Sequence, residues 1–339
     1  MEPLETTTKN PKMEELEDYV QHLEISLPKE LWMGAFPISL YEGFWCSPKI
    51  FKSTILFQTQ FEAHDTDILL ASLPKTGSTW LRSLLFAIVN RNIFSDFTKH
   101  PLHTQNSHEL VVHMEFPPSN NTNGTQPDLT KLSSPRLLAT HIPYLSLPKS
   151  IKTSKTRIVY VCRNPFDTFI SSWHFYHKLS LNTSSELDHN TIEEYFGQFC
   201  EGKFPYGPYE DHLLGYWKES IQNPNKVLFM EYEGLKQDPK AYVKKLAEFV
   251  GYPFSQLEQE KGIIDDIIKL CSFENLKKMK VNNSGDAYGI FENKALFRKG
   301  EVGDWTNYLT PSMTKMFDQN FHEKFKGTGF NSKYYQPSF

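Results

Sequence analysis

Short apolar runs alternate with amphipathic stretches between residues 67 and 250. The runs are too short for ordinary helices, and they lack the in–out alternation of a strand with one face in water. We therefore predict buried strands over residues 67–72, 136–140, 157–162 and 226–231. The stretches that follow three of these runs predict helices over residues 78–89, 165–179 and 239–250. This order predicts a single α/β domain, with a central parallel sheet covered by helices on both faces.

Two polar segments interrupt this pattern without dividing the chain. Residues 1–30 are predicted to form a mobile arm that leads into one short helix. Residues 116–135, which are rich in Pro, Asn and Ser, are predicted to form a long surface loop. The sequence shows no repeat and no linker that would separate a second domain.

The segment Leu73-Pro-Lys-Thr-Gly-Ser-Thr-Trp80 joins the first predicted strand to the first predicted helix. Unpaired N–H groups at a helix N-terminus converge on one point, where the helix dipole also favours negative charge. Gly77 permits close approach of a ligand, and Lys75 adds a point charge, although its place before the glycine excludes a Walker A order. Ser78 and Thr79 supply hydroxyl groups. The segment predicts a P-loop-like anion site, and an ordinary turn with a capping serine is the alternative.

Residues that follow the carboxyl ends of parallel strands are further candidates for ligand binding. Arg163 follows the third predicted strand, and with Ser171 on the next helix it could hold a second phosphate. A pair between Arg163 and Asp167 at the helix entry also explains this arginine. His141 follows the second predicted strand and points into the same crevice as Lys75. It could act there as a general base, or it could be a packed or capping histidine.

A third cationic segment lies near the C-terminus, where Arg298 and Lys299 stand beside Gly300 in a predicted loop. A solvated turn is the plain interpretation of this segment alone. The 339 residues carry a formal net charge of −4, so no general attraction to nucleic acid or to an anionic membrane is expected. A local cluster can still bind anions, because charges beyond about 8 Å are largely screened at physiological salt. Three such segments in an acidic protein favour a shared polyanion site.

Composition limits the remaining possibilities. Hydrophobic residues make up 39% of the chain and aromatic residues 14%, which predicts a large core. The first residues lack a basic and apolar leader, and the longest clearly apolar run, residues 84–89, is too short to span a bilayer. The four cysteines show no C-x-x-C spacing. We therefore expect a cytoplasmic protein with reduced thiols and without a metal site.

These motifs resemble those of the cytosolic sulfotransferase family, and most closely its plant branch, from residue 60 to residue 305. The resemblance rests on four segments in family order: Leu73–Trp80, Pro135-Arg-Leu-Leu-Ala-Thr-His-Ile-Pro143, Tyr160-Val-Cys-Arg-Asn-Pro-Phe-Asp167 and Arg298-Lys-Gly-Glu-Val-Gly-Asp-Trp305. It implies that 3′-phosphoadenosine 5′-phosphosulfate is the sulfuryl donor and that a small hydroxylated metabolite is the acceptor. It also implies that residues 1–55 form an N-terminal arm and acceptor-site segment, and residues 56–335 the sulfotransferase domain.

The resemblance further implies which residues bind the donor. The 5′-phosphosulfate would be held by Lys75, Thr76, Gly77, Ser78, Thr79 and Trp80, with Trp80 stacking on adenine. The 3′-phosphate would be held by Arg163, Ser171, Arg298, Lys299 and Gly300. The nucleoside would be lined by Tyr232, Cys271 and Phe273, with Phe297 at its border. His141 and Lys75 would be the catalytic residues, and no metal would take part.

The chain departs from the animal members of that family at two places. Animal enzymes usually have a lysine that helps hold the sulfuryl group where this chain has Ala139, so Lys75 and the loop amides would carry more of that charge. The segment through which animal enzymes dimerise is matched at residues 306–315 only by Thr310. We therefore predict a monomer.

These features predict an in-line sulfuryl transfer in which His141 accepts the proton of the acceptor hydroxyl. A P-loop nucleotide kinase is the first alternative, but it requires a lysine after the glycine and a strand-end aspartate for Mg²⁺, and both signals are missing. A nucleotide-binding module without activity is the second alternative. The presence of both His141 and Lys75 argues against it.

Aromatic-rich segments are predicted to build the acceptor pocket: residues 32–45, the loop 101–118, Tyr144, residues 173–177 and a lid over residues 282–293. They contribute Phe36, Tyr41, Phe44, Trp45, Phe116, Tyr144, Phe175, Tyr288 and Phe291, although some of these residues could simply pack in the core. An apolar crevice favours a flat or hydrophobic hydroxylated compound over a sugar or a peptide. Flavonoids, steroids, simple phenols and hydroxylated fatty-acid hormones fit this description, and desulfoglucosinolates stay open.

Overall fold

The computed structural model describes residues 11–116, 129–182 and 191–335. The strands are β1 (Lys29–Trp32), β2 (Phe36–Tyr41), β3 (Phe44–Cys46), β4 (Ile68–Ser72), β5 (Val112–His113), β6 (Leu137–Thr140), β7 (Arg157–Cys162), β8 (Val227–Glu231), β9 (Asp286–Ala287) and β10 (Phe291–Glu292). The first eight helices are α1 (Pro11–Ser26), α2 (Pro48–Gln60), α3 (Ser78–Asn90), α4 (Ser107–Leu110), α5 (Lys149–Thr153), α6 (Pro165–Asn182), α7 (Ile192–Cys200) and α8 (Tyr209–Gln222). The others are α9 (Tyr232–Gln237), α10 (Pro239–Phe249), α11 (Gln256–Glu260), α12 (Ile263–Leu270), α13 (Phe273–Lys278), α14 (Lys280–Asn283) and α15 (Pro311–Phe325).

The central sheet consists of five parallel strands in the order β5–β6–β4–β7–β8. From β4 in the middle, the chain adds β5 and β6 on one side and then β7 and β8 on the other. Such a reversal of strand order opens a crevice at the carboxyl ends of the neighbouring strands, where ligands of parallel sheets bind. The four predicted strands are confirmed, and each predicted first residue differs from the observed one by at most one position.

Successive side chains of β4 point to opposite faces of the sheet, and each face has its own core. Leu69 and Ala71 belong to a core that includes residues of α2, α7, α8 and α15. Ile68 and Leu70 belong to a second core, with residues of α3, α10 and α12. Helices therefore cover both faces of the sheet, as the continuous apolar runs predict. No helix in the described residues is long and apolar enough to cross a membrane.

A second, antiparallel sheet of β1, β2 and β3 was not predicted. The two-residue turn Glu42-Gly43 joins β2 to β3, and the three residues Met33-Gly34-Ala35 join β1 to β2; Met33, Gly34, Glu42 and Gly43 all have positive φ. Turns of this kind fit the twist of a hairpin, and glycine at the second position is their sequence signal. Trp32 lies 1% exposed in the same core as Leu69, so this sheet packs directly against the parallel one.

The two predicted polar segments fall only partly within the described residues. The predicted short helix of the N-terminal arm is α1, and residues 1–10 lie outside the described part. Within the predicted surface loop, residues 117–128 also lie outside it, and residues Leu129–Lys131 form one turn of 3₁₀ helix.

Candidate active site

A cavity opens at the carboxyl ends of β4, β6 and β7. It encloses about 1210 Å³, part of which is open to solvent. The predicted site residues in its wall are Lys75, Gly77, Ser78, Thr79, Trp80, His141, Arg163, Ser171, Tyr232, Phe273, Phe297, Arg298, Lys299 and Gly300. Of the predicted set, only Thr76 and Cys271 are not part of this wall. The fold thus brings together segments that are far apart in the sequence.

Hydrogen bonds and close packing fix the shape of the loop between β4 and α3. The Thr76 hydroxyl donates to the carbonyl oxygens of Leu73, at 2.8 Å, and Val161, at 3.1 Å, which ties the loop to β7. Gly77 has φ 107°, and a Cβ atom there would lie 2.6 Å from Cδ2 of Tyr232. Only glycine fits at this position, both for its backbone angle and for its close packing.

Lys75 presents its ammonium group to the cavity from the same loop. Its Nζ lies 4.1 Å from the centroid of the Phe175 ring, and its φ is 71°. Burial, followed by the charges of Arg163 and Arg298, lowers the pKa of Lys75 to about 7. A bound anion would favour the charged form again, because an opposite charge nearby raises the pKa of an amine.

Arg163 is held by three groups and still faces the cavity. Its Nη1 donates to the carbonyl oxygen of Lys75 at 3.4 Å. Its Nη2 donates to the carbonyl oxygen of Glu301 at 2.7 Å, and lies 3.7 Å from Oδ2 of Asp167. The pair with Asp167, which the sequence left as an alternative, is therefore present. It does not exclude ligand binding, because Arg163 lines the cavity and its Nε has no partner among the described residues.

Arg298 and Lys299 share one buried carboxylate. Arg298 Nη1 lies 2.5 Å from Oδ2 of Asp304, and Lys299 Nζ lies 2.6 Å from Oδ1. Burial opposes ionisation of Asp304, but the hydrogen bonds from Lys299 and Arg298 lower its pKa to about 2. Gly300 follows with φ 69°, and a Cβ atom there would lie 2.6 Å from Cδ2 of Phe273. The segment is thus an anchored loop and not a solvated turn.

His141 presents a proton-free nitrogen to the cavity. Its Nδ1 lies 2.7 Å from the carbonyl oxygen of Ser72 and 3.2 Å from that residue's hydroxyl group. A carbonyl oxygen can only accept, so Nδ1 carries the ring proton and Nε2 keeps its lone pair. Burial, followed by the neighbouring His113, lowers the pKa of His141 well below 6.5. The ring is therefore neutral at physiological pH and can accept a proton.

Buried hydrogen bonds fix the backbone of His141. Its N–H donates to Oε1 of Glu115 at 2.6 Å, and its carbonyl oxygen accepts from Nε2 of His212 at 2.9 Å. Since Nε2 of His212 carries the proton, its Nδ1 accepts from the hydroxyl of Tyr160, at 2.9 Å. Neither Glu115 nor His212 was predicted, because they contact His141 only in the folded chain.

Aromatic rings surround the other end of the cavity. Trp80 and Tyr232 meet edge to face with their centroids 5.8 Å apart, and Phe273 and Phe297 lie in the same wall. Lys236, which was not predicted, lines the cavity with Nζ 5.8 Å from the centroid of Trp80. The side chain of Cys271 is instead fully buried in the second core, which separates it from this wall.

Three polar residues beside His141 were not named as candidates: Tyr206, and His108 and His113 in the predicted acceptor segment 101–118. His113 ends β5, a two-residue strand that forms no recognisable apolar run. Tyr206 has φ 66°, and its ring centroid lies 5.4 Å from that of His141. The only available signal for His113 was its place after Val111 and Val112, which is too short to indicate a strand.

The predicted acceptor aromatics divide into two groups. Phe116, Phe175, Tyr288 and Phe291 line the cavity, and Tyr176 joins them. The prediction is wrong for five residues that pack in or against the first core instead, namely Phe36, Tyr41, Phe44, Trp45 and Tyr144. The reason is the antiparallel sheet, whose short strands turn four of these side chains into contacts with the core. Phe36 lies one layer behind the wall, 5.1 Å from the ring of Tyr176.

Comparisons with known proteins agree with this geometry. Residues 65–329 match the model of the sulfotransferase domain family. Cytosolic sulfotransferase 15 of Arabidopsis thaliana is 43% identical over 325 residues, which cover 94% of this chain and 89% of that protein. Cytosolic sulfotransferase 14 of the same plant is also 43% identical, over 91% of this chain and 89% of that one. The names place these relatives in the cytosol, in agreement with the localisation expected from the sequence.

Solved structures show the same relation. The crystal structure of an Arabidopsis thaliana sulphotransferase superposes with a TM-score of 0.72 at 38% identity, over 94% of this chain and 97% of that one. Mouse sulfotransferase SULT7A1 in complex with PAP superposes with a TM-score of 0.64 at 28% identity, over 86% and 95% of the two chains. Sequence, fold and family match agree, and we conclude that this chain belongs to the sulfotransferase family and is a sulfotransferase.

Proposed function

We propose that the cavity binds 3′-phosphoadenosine 5′-phosphosulfate and that His141 is the base for transfer of its sulfuryl group to the hydroxyl of a small hydrophobic metabolite. The observation that carries this proposal is the free Nε2 of His141 in the same cavity wall as Lys75 and the N-terminus of α3. A proton acceptor and an anion site are the two functions that such a transfer requires.

The charges of the cavity fit this donor. The donor carries about four negative charges. Lys75, Arg163, Arg298 and Lys299 in the wall supply the positive charge that faces them, part of which Asp304 and Asp167 balance in the free protein. Three N–H groups at this site have no hydrogen-bond partner among the described residues: Nε of Arg163, Nε of Arg298 and Nε1 of Trp80. Acceptor atoms of the bound sulfuryl donor could satisfy them. The PAP complex of mouse sulfotransferase SULT7A1 supports a 3′-phosphorylated nucleotide here.

We assign the remaining predicted contacts by position in the wall. Gly77, Ser78 and Thr79 at the start of α3 would hold the 5′-phosphosulfate, while Thr76 shapes the loop from behind. Ser171 and Gly300 would complete the 3′-phosphate site. Trp80, Tyr232, Phe273 and Phe297 would enclose the nucleoside. For Cys271 the buried side chain leaves only a supporting role behind this wall.

In the proposed reaction, His141 Nε2 accepts the proton as the acceptor oxygen forms its bond to sulfur. The bond between sulfur and the bridging oxygen of the donor breaks, and Lys75 and the N–H groups of α3 stabilise the charge on that oxygen. Preorganised donors of this kind typically contribute roughly 3–4 kcal/mol each to transition-state stabilisation. The product nucleotide is adenosine 3′,5′-bisphosphate.

Incubation of the protein with ³⁵S-labelled donor and a plant metabolite extract, followed by mass identification of labelled products, tests this proposal. Labelled small hydrophobic compounds are expected. Labelling of only polar glycans or tyrosine peptides would contradict the acceptor class. A thermal shift with adenosine 3′,5′-bisphosphate, set against ATP with Mg²⁺, separates the proposal from a kinase, which would be stabilised by the second ligand alone.

A further inference from the structure

Arg82 is a buried cation without a carboxylate partner in the described part of the chain. It lies on α3 and is 0% exposed. Other buried arginines each pair with a carboxylate: Arg91 with Glu258, Arg136 with Asp67 and Arg163 with Asp167. The only hydrogen bond of Arg82 there runs from Nη1 to the hydroxyl of Tyr288, at 2.8 Å, and its Nε has no partner. A buried cation without a counter-charge is costly, and because Arg82 is not part of the cavity wall, a negative ligand group could interact with it only through Tyr288.

Tyr288 connects Arg82 to the cavity surface through a hydrogen bond. Its hydroxyl oxygen accepts from Arg82, so its own proton is free to be donated, and Tyr288 lines the cavity. The ring is stacked on Phe116 with centroids 5.0 Å apart, and the backbone has φ 60°. A left-handed backbone at a bulky residue persists only where the surrounding structure enforces it, and such residues concentrate at ligand sites.

His113 extends this polar wall toward the base. It is 1% exposed, and neither of its ring nitrogens has a hydrogen-bond partner among the described residues. Its ring centroid lies 4.7 Å from that of His141 and 5.9 Å from that of Tyr288. Glu115 is close, with Oε2 3.0 Å from Nδ1 of His113, but the two atoms do not form a hydrogen bond. Nε2 of His113 is thus available to a ligand atom between Tyr288 and His141, and in the neutral tautomer that carries its proton on Nε2 it can donate to a carboxylate oxygen.

We infer that the acceptor carries a carboxylate besides the hydroxyl that is sulfated, and that Tyr288, polarised by Arg82, binds this carboxylate together with His113. This inference rests on the proposed function and narrows its acceptor class from hydrophobic alcohols and phenols to hydroxy acids. Arg82 is a specificity-determining residue that acts through Tyr288. A site built to bond a polar group rejects the analogue that lacks it, because its own buried polar groups then stay unpaired.

Binding of matched compounds tests this inference without turnover. A graded series of ω-hydroxy-alkanoic acids is titrated into the protein in the presence of adenosine 3′,5′-bisphosphate, alongside the methyl ester and the primary amide of each acid. At the best chain length, the acid should bind about tenfold more tightly than the ester, since a charged hydrogen bond is lost in the ester. Equal binding of the amide would show that a neutral group is recognised and would overturn the inference, as would a series without preference for the acid.

Variants test whether Arg82 and Tyr288 cause the preference for the acid over the ester. Arg82→Met and Tyr288→Phe should each remove most of the preference for the acid and change ester binding little, and Arg82→Lys should retain it. Phe291→Leu is the matched control, because it changes an apolar part of the same wall and should weaken acid and ester equally. The thermal shift with adenosine 3′,5′-bisphosphate reports whether each variant is folded. If Arg82→Met does not fold, Tyr288→Phe alone tests the role of the pair. Loss of acid and ester binding in equal measure in both variants would overturn the role of this pair. Failure of sulfuryl transfer to any hydroxyl compound would instead contradict the proposed function.

Discussion

At the level of single residues, Lys75 is a cation whose charge depends on what it binds. Its pKa of about 7 in the free protein is set first by burial and then by Arg163 and Arg298. The charged form is present below this pKa, so we expect nucleotide affinity to fall as the pH rises above about 7. Titration calorimetry with adenosine 3′,5′-bisphosphate across this range measures the fall. Lys75→Ala is the control for titration of the nucleotide itself, and an equal fall in that variant would remove Lys75 from the explanation.

His141 should separate chemistry from binding. In His141→Ala, we expect nearly complete loss of sulfuryl transfer, because among the described residues no other ring nitrogen of the site is both proton-free and fixed by a backbone bond of the kind that Ser72 provides. Binding of the donor nucleotide should be retained. Single-turnover transfer and calorimetry measure the two properties side by side. Loss of nucleotide binding in this variant would mean that His141 is structural.

Arg163 and Arg298 should determine recognition of the 3′-phosphate. Replacement of either by alanine should weaken adenosine 3′,5′-bisphosphate far more than adenosine 5′-monophosphate, because a charged hydrogen bond to phosphate is worth about 1.5–3 kcal/mol. The ratio of the two dissociation constants should fall by about tenfold or more. An unchanged ratio, with both nucleotides weakened alike, would show that these arginines only support the fold.

At the level of elements, the loop after β10 offers a matched pair of glycines. Gly300 and Gly303 both have positive φ, at 69° and 86°, but a Cβ atom at Gly300 would lie 2.6 Å from Phe273, whereas one at Gly303 would have nothing within 4 Å. Alanine should therefore cost about 1–2 kcal/mol of backbone strain at both positions and displace Phe273 only at Gly300. Nucleotide affinity should be lower in Gly300→Ala than in Gly303→Ala. Equal affinities would mean that the contact with Phe273 does not shape the site.

The elements also show how far the sequence can be interpreted. β4, β6, β7 and β8 are predictable because strands covered on both faces are continuous apolar runs, and their carboxyl ends locate Lys75, His141 and Arg163. β5 is not predictable, because two residues carry no period, and His113 is missed with it. Part of the cavity wall around His141 also has no signal in the sequence.

Tyr206 reaches that wall through a left-handed backbone conformation that no residue type other than glycine indicates. Arg82 illustrates the opposite difficulty. It lies on α3, two residues after the motif Leu73–Trp80, yet its position in the sequence says nothing about the missing carboxylate, which is a property of the packed cavity.

At the level of the whole molecule, we predict a monomer. The segment from residue 306 to residue 315 retains only Thr310 of the dimerisation pattern of animal relatives, and in this chain Thr310 caps α15 by accepting from the N–H of Met313. Sedimentation velocity over a range of concentrations should give one species with the mass of a single chain. A dimer that persists on dilution would point to a different interface.

The carboxylates beside Arg163, Arg298 and Lys299 affect how fast the nucleotide associates from solution. Asp304 offsets Arg298 and Lys299, Asp167 lies beside Arg163, and the chain as a whole carries a net charge of −4. The protein therefore projects little positive field beyond its surface, and electrostatic steering should contribute little to the association rate. The internal carboxylates already occupy the place of solution counter-ions, so few ions are released on binding. The protein then discriminates between nucleotides only once they contact the cavity. Ionic strength should change nucleotide binding here much less than it changes binding to an open cluster of surface lysines.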